Sequence, residues 1–304
     1  MPSTPSSPGT SSSPGTSSSP STPSSPSGPR TLITVAPTGA ESSKADVPAL
    51  PTTLAELVET ARRCQAAGAA MIHVHVRDDE HRPTLDLARL ADAVAALREH
   101  TTLVVQLSTG GSVHDPYEHR LRVLEARPDS CSLTTGTVNF GDAVFLNPWP
   151  FVAELYQATQ AAKVVPEFEL FDLGHVHALH RLLDTHGLPY GGRVHCGLVL
   201  GVPGGGMPGT AATLVAAVQA LPAATTSWSA TGIGRSTLPV ALAALSAGGH
   251  LRVGMEDTVT YARGHPVTHN AELVQRAARL AELAQRPSLG ADEARDLLRV
   301  RAAP

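Results

Sequence analysis

From Arg30 onward the chain alternates short apolar runs with longer stretches whose apolar positions recur every three or four residues. A short run bounded by polar residues reads as a buried strand, and a 3.6-residue period reads as an amphipathic helix. On that basis strands are expected at 31–36, 70–76, 103–107, 130–133, 164–170, 193–200, 225–229 and 251–255. A helix is expected after each, at 53–67, 85–100, 116–126, 150–162, 175–186, 210–221, 237–247 and 271–285. Thr53 is a natural N-cap for the first helix and Gly68 a natural stop. Successive parallel strands need helical crossovers, and eight of them close a sheet on itself. The expected fold is therefore α/β, a (β/α)8 TIM barrel spanning residues 30–304, with a last helix at 289–300 packed outside it. An open doubly wound sheet is the alternative. It is weakened because no Gly-x-Gly-x-x-Gly turn follows the first strand.

The first 29 residues are of another kind. After Met1 they contain only Ser, Thr, Pro and Gly. With no apolar side chain to bury, such a segment is expected to be a disordered tail, and it has neither the basic nor the apolar region of a secretory signal. No apolar run approaches the roughly 20 residues of a membrane span. A formal net charge of −4 gives no electrostatic reason to expect a nucleic-acid partner. Cys64, Cys131 and Cys196 are odd in number and widely spaced, so they read as buried free thiols in a reducing cytoplasm rather than a disulfide framework.

In a barrel of this kind chemistry belongs at the carboxyl ends of the strands, and reactive residue types collect there. The second strand runs into His73-Val74-His75, whose alternate side chains share a face about 7 Å apart, within reach of one divalent metal. Glu256, near the end of the eighth strand, is the best third ligand. Two His and a Glu with an open position is the form a catalytic zinc takes, although other first-row ions suit it too. Glu167 and Glu169 lie two apart on the fifth strand and face the same side. Arg252 and Glu169 can pair in the barrel mouth and hold a neighbouring Asp257, tuning its acidity. Thr231-Gly232-Ile233-Gly234-Arg235 follows the seventh strand, where barrels often hold phosphate, so Arg235 is a candidate for a nucleotide-like cosubstrate. Lys44 and Arg77 are candidates for the same task or simply charged residues that solvate the rim. His175 and His177 sit two apart at an expected helix start, where they diverge, and read as surface residues. The glycine-rich stretch 201–209 is either a loop over the site or a plain turn.

Taken together, Ala36-Pro-Thr-Gly-Ala-Glu41, His73-Val-His-Val-Arg77, Gln106-Leu-Ser-Thr-Gly-Gly111, Gly136-Thr-Val-Asn-Phe-Gly141, Val165-Pro-Glu-Phe-Glu169, Leu200-Gly-Val-Pro-Gly-Gly205, Gly232-Ile-Gly-Arg235 and Gly249-His-Leu-Arg-Val-Gly-Met-Glu-Asp257 resemble the β-keto acid cleavage enzyme family. The resemblance runs in order across the globular part. It implies a zinc-dependent TIM barrel, usually a homotetramer. Such an enzyme condenses a 3-keto acid with acetyl-CoA to give acetoacetate and a new CoA thioester. It further implies that His73, His75 and Glu256 ligate the metal. Asp257 would be the base, supported by Arg252 and Glu169, and Glu41, Ser108, Gly111 and Ser132 would contact substrate. Ser132 stands where the family's aminohexanoate enzyme carries Thr, and Thr134 where it carries Asn. Two other readings remain open from the residues alone, a metal-dependent barrel hydrolase and a barrel that binds zinc and ligand without catalysis. The hydrolase reading wants further histidines at later strand ends. His195 is on the sixth strand and none comparable follows the seventh.

Overall fold

The computed structural model describes residues 28–300. The tail expected at 1–29 therefore lies, but for Gly28 and Pro29, outside the described residues, as do the last four of the domain. Eight parallel strands close into a barrel: β1 (Ile33–Val35), β2 (Met71–Val74), β3 (Val104–Leu107), β4 (Ser130–Thr134), β5 (Val165–Leu170), β6 (Val194–Leu200), β7 (Thr225–Gly232) and β8 (His250–Val253). Each strand pairs with its neighbours in sequence, and β1 pairs with β8. The crossovers carry α1 (Leu54–Ala66), α2 (Leu87–His100), α3 (Tyr117–Arg122), α4 (Trp149–Ala162), α5 (Leu173–His186), α6 (Ala211–Ala220) and α7 (Thr237–Ser246), with α8 (Asn270–Leu283) following β8. Among the described residues no helix is long and apolar enough to cross a membrane.

The strands form because their two faces have different jobs. One face is apolar throughout: Ile33, Val35, Ile72, Val74, Val105, Leu107, Leu133, Phe168, Leu170 and Leu198 are all fully buried in one cluster with the helices. The alternate residues line the barrel interior and are largely polar, among them Thr34, His73, Gln106, Ser130, Ser132, Glu167, His195, Ser229 and Arg252, all buried. A period of two in a strand covered on both sides thus separates a hydrophobic shell from a polar lumen. Three buried free thiols, Cys64, Cys131 and Cys196, belong to the apolar shell.

The helices begin where the sequence supplies caps. Thr53 accepts from the Glu56 N–H while the Glu56 carboxylate reaches back to the Thr53 N–H, a reciprocal capping box. The last helix, α9 (Ala291–Leu298), lies across the amino-terminal mouth rather than in the outer ring. Its Ala294 and Leu298 pack with Leu32, Met71, Val104 and Val165 from the starts of the strands. Arg30 ties it down through Glu293 at 2.6 Å. With the bottom plugged, solvent reaches the lumen from the opposite end.

Candidate active site

At the carboxyl end the chain gathers the three residues that the motifs suggested as a ligand set. His73 closes on His75 with their Nε2 atoms 3.3 Å apart. The Glu256 carboxylate stands 3.8 Å from His73 Nε2 and 3.6 Å from His75 Nε2. One ligand atom from each lies within 4.8 Å of the others. Glu256 does not come from the strand itself, as its spacing from Arg252 suggested. β8 ends at Val253 and Glu256 sits in the turn that follows, its N–H donating to the Ala36 carbonyl at 3.2 Å. Gly254 makes that turn: a Cβ there would collide with the Ala36 carbonyl. Two tests bear on whether a divalent ion fits. Nitrogen ligands about 2.0–2.1 Å from a tetrahedral zinc lie roughly 3.3 Å from each other, the separation of the imidazole nitrogens. The Glu256 Oε2 atom is buried without a hydrogen-bond partner, a costly position unless something cationic meets it. Burial holds the His75 imidazole down to about 3, in the neutral form that ligates. The residues fit the group.

Arg252 is the electrostatic hub. Its Nη1 donates to Glu169 at 3.1 Å, its Nη2 to Asp257 at 3.0 Å and also to Glu256, and its Nε to the second Asp257 oxygen at 3.3 Å. Three carboxylates thus share one guanidinium. Burial raises Asp257 to about 6; Arg252 opposes that and the adjoining Glu256 carboxylate adds to it. Burial also opposes ionisation of Glu256, but Arg252 and the two imidazoles outweigh it and hold that carboxyl near about 2. Glu169 is raised, first by burial, and accepts a further bond from Thr134 Oγ1 at 3.1 Å. Adjacent acids pushed in opposite directions can give one site both an ionised carboxylate and a neighbouring carboxyl that titrates near neutrality.

These groups share a cavity of about 300 Å³. Glu41, Ser108, Gly111 and Ser132 all line it. Ser108 Oγ donates to the Gly110 carbonyl at 2.9 Å, shaping the loop after β3, while Ser132 accepts from the Thr109 N–H at 3.4 Å. Glu41 stands exposed on the rim. Apolar residues to which sequence reasoning assigned no role form another wall: Phe140, Phe145, Phe171, Val202 and Ile233, from the segments after β4 to β7, and Val199 from β6 itself. Their strand-end positions were legible, but the hairpin Val138–Phe140/Ala143–Phe145 that carries two of the rings was not. The glycine-rich loop after β6 contributes Val202 and Pro203 to this wall and is tied to the hairpin by the Gly141 N–H on the Pro203 carbonyl at 2.9 Å.

Other candidates fall elsewhere. Arg235 is exposed in the short 3-10 turn Gly234–Ser236 beyond β7, outside the cavity lining. Lys44 is paired with Glu56 at 2.5 Å, and Arg77 is buried, holding the carbonyls of Gly39, Ser42 and His81. Both shape the first loop. His175 is not a surface residue. It is buried, with Nδ1 accepting from the Phe171 N–H at 3.3 Å and Nε2 against the Thr137 carbonyl at 3.2 Å. Its helix starts earlier than the expected 175 because Asp172 caps it. Gly136 makes room for the ring: a Cβ there would come within 2.6 Å of it. His177, by contrast, is exposed.

Comparison with known proteins places this arrangement. The profile of a family described as beta-keto acid cleavage enzyme matches residues 30–300. A 3-keto-5-aminohexanoate cleavage enzyme from Acetoanaerobium sticklandii is 35% identical over 271 residues, covering 88% of this chain and 98% of the relative. A 3-oxoadipate:acetyl-CoA acetyltransferase from Cupriavidus necator is 36% identical over 272 residues, covering 88% and 94%. Among solved structures, the ternary complex of ObcA with a C4-CoA adduct and oxalate superposes with a TM-score of 0.75 at 20% identity, covering 84% of this chain and 68% of that one. That likeness is one of fold.

Proposed function

The chain belongs to the beta-keto acid cleavage enzyme family, and from that premise we propose that it transfers the CoA of acetyl-CoA to the acyl part of a 3-keto acid, releasing acetoacetate. The observation that carries the reading is the Asp257 carboxyl, buried and raised to about 6, held by Arg252 in the same cavity as the His73, His75 and Glu256 donors.

His73, His75 and Glu256 would hold a divalent ion, with zinc the best match to two imidazoles and a carboxylate. Such an ion supplies Lewis-acid polarisation of a keto oxygen and a charge for the neighbouring carboxylate. Asp257 takes a proton from the methylene between the keto and carboxylate groups. The carbanion attacks the thioester carbonyl of acetyl-CoA and expels the CoA thiolate. That thiolate attacks the original keto carbon, the carbon–carbon bond breaks, and the departing acetoacetate carbanion recovers its proton from Asp257. Base and acid are the same group, so a carboxyl near neutrality serves both halves. Arg252 keeps both Asp257 oxygens oriented throughout, Glu169 in turn orients Arg252, and Thr134 donates to Glu169.

One wall of the cavity is apolar, and Arg252, fully committed, is the one Arg or Lys of the lining among the described residues. A second carboxylate on the keto acid would meet no free cation, whereas an ammonium would meet Glu41 on the rim. Arg235, exposed beyond the cavity, is suited to a CoA phosphate. The test is a panel of cationic, neutral and anionic 3-keto acids with acetyl-CoA on zinc-loaded protein, with acetoacetate and new thioesters followed by mass spectrometry. Turnover should vanish in His73→Ala and Asp257→Asn, and Glu41→Gln should lose the preference for amino keto acids. Acetyl-CoA hydrolysed without any keto acid would sink the proposal.

A further inference from the structure

Below the cavity floor a second layer of polar side chains fills the barrel, and it has a direction. His73 Nδ1 lies 2.6 Å from Gln106 Oε1. An amide oxygen only accepts, so Nδ1 must carry the proton and Nε2 is left with the lone pair that faces His75 and Glu256. An amide, however, can be turned over, which would present its N–H₂ to the ring and force the opposite tautomer. What prevents this is one layer away. Gln106 Nε2 donates to Glu167 Oε2 at 2.8 Å and to Ser130 Oγ at 3.2 Å. A hydroxyl tolerates either end of an amide, but a carboxylate only accepts. Turning Gln106 would set its oxygen against the Glu167 oxygen.

Glu167 is itself anchored. Ser229 Oγ donates to its Oε1 at 3.0 Å, and His195 Nε2 lies 3.6 Å away. The neighbouring strand keeps Gly197 beside it, where a Cβ would come within 2.6 Å of Oε1. His73, Gln106, Glu167 and Ser229 are at most 4% exposed, so no water competes for these bonds. Burial opposes the Glu167 charge, yet His195 and the Gln106 bond keep the carboxyl below its ordinary range.

We propose that Glu167 is a positioning residue for the metal centre: through Gln106 it selects the His73 tautomer whose Nε2 lone pair faces His75 and Glu256. This rests on those three residues holding a divalent ion, as proposed above. The essential property is an acceptor-only group at the far end of an amide relay. Glu167→Gln keeps size and hydrogen bonding but makes the two directions of the relay equivalent. Gln106→Glu combined with Glu167→Gln restores an acceptor-only group, now directly on His73.

Two readouts separate this from a packing role, namely the ¹⁵N shifts of the His73 ring in chelator-treated protein and zinc affinity by competition with a chelator. The wild-type protein should show one tautomer with the proton on Nδ1. Glu167→Gln should show both, with zinc binding weakened about tenfold, the lower end of what loss of such an outer partner costs. The double variant should return to a single tautomer and to within about threefold of wild-type affinity, since a carboxylate on the ring is the commonest outer partner of a ligating histidine. A folded Glu167→Gln protein with one tautomer and unchanged affinity overturns the proposal, as does a folded double variant that recovers neither. None of these readouts needs a keto acid. A protein that binds zinc in this way yet turns over nothing would leave the relay standing and remove the catalytic reading. A wild-type protein that binds no zinc removes both.

Discussion

Replacing Arg252 with Met tests the electrostatic account of the site most directly. Met roughly fills the aliphatic volume and removes the charge. Arg252 is 9% exposed, and its partners Glu169, Glu256 and Asp257 have side chains 13%, 18% and 1% exposed. Stripping one partner from a buried ion pair costs about 3–5 kcal/mol, because the other charge is left unpaired. Three carboxylates lose their counter-charge here, but the losses do not add. The protein has an escape: a carboxyl raised to about 6 even with Arg252 beside it is raised further without it, so it can take up a proton at pH 7 for no more than roughly 1.4 kcal/mol, the free energy of a tenfold change in proton activity. The loss should therefore stay near 3–5 kcal/mol and not grow threefold. Arg252→Lys keeps the charge but replaces three bonding nitrogens with one, and should recover about half. Urea unfolding of chelator-treated protein at pH 7, with the midpoint shift multiplied by the slope, measures both. A loss under about 1 kcal/mol for Arg252→Met would mean that the guanidinium does not balance these acids, and its hold on Asp257 would go with it.

Other expectations are independent of that one. His250 is kept neutral by burial, aided by His195 and Arg286, with its pKa down to about 3 and its Nδ1 accepting from the Leu32 N–H. The unfolded chain takes up this proton near pH 6.5 and the folded one refuses it. The His250 contribution to stability should thus be complete above pH 6.5 and be lost, roughly 3–5 kcal/mol of it, on acidification toward pH 3; His250→Asn, which keeps an acceptor, should make the acid slope shallower by that amount in urea midpoints taken across the range, leaving the part due to His75. Gly205 packs where a Cβ would strike the Asn139 carbonyl, so Gly205→Ala should cost about 1–3 kcal/mol and raise KM by shifting the hairpin that carries Phe140, as melting curves and steady-state kinetics would reveal. Zinc at a hundred times its Kd should add about 2.7 kcal/mol of stability in the same unfolding assay, and His73→Ala should abolish the increment.

The barrel was legible because each of its signals is local. Thr53 and Glu56 mark the start of α1, Gly68 its end, and each strand is short, apolar on one face and flanked by turn residues. His73 and His75 were legible as a pair because strand alternation puts them on one face. The misread positions depend on partners far away in the chain. Glu256 leaves the strand because Gly254 lets the backbone close onto Ala36, more than 200 residues earlier. His175 is buried because Gly136 vacates the space for its ring. The second had a local sign that alternation alone does not use: Asp172, whose carboxylate accepts the His175 N–H at 3.0 Å, sets the helix start three residues ahead of that histidine.

Glu167 and Glu169 show what a period of two leaves out. Both face the lumen, and as a pair they look interchangeable. One strand repeat, about 6.6 Å for two residues, separates them along the barrel axis. Glu169 reaches the cavity and Arg252, whereas Glu167 lies a layer deeper, opposite His195 and in line with Gln106 and Ser229. Which acid reaches the cavity and which joins the layer beneath is decided by depth, and depth follows from the stagger of neighbouring strands. The register Ser132 to Glu167 and Thr134 to Glu169 puts the deeper acid beside the floor and the shallower one at the mouth. A polar lumen built in such layers can carry catalytic groups above and the groups that orient them below on the same strands. In a barrel strand, a buried carboxylate two residues before one that lines the cavity is therefore a place to look for a group that orients the side chains above it.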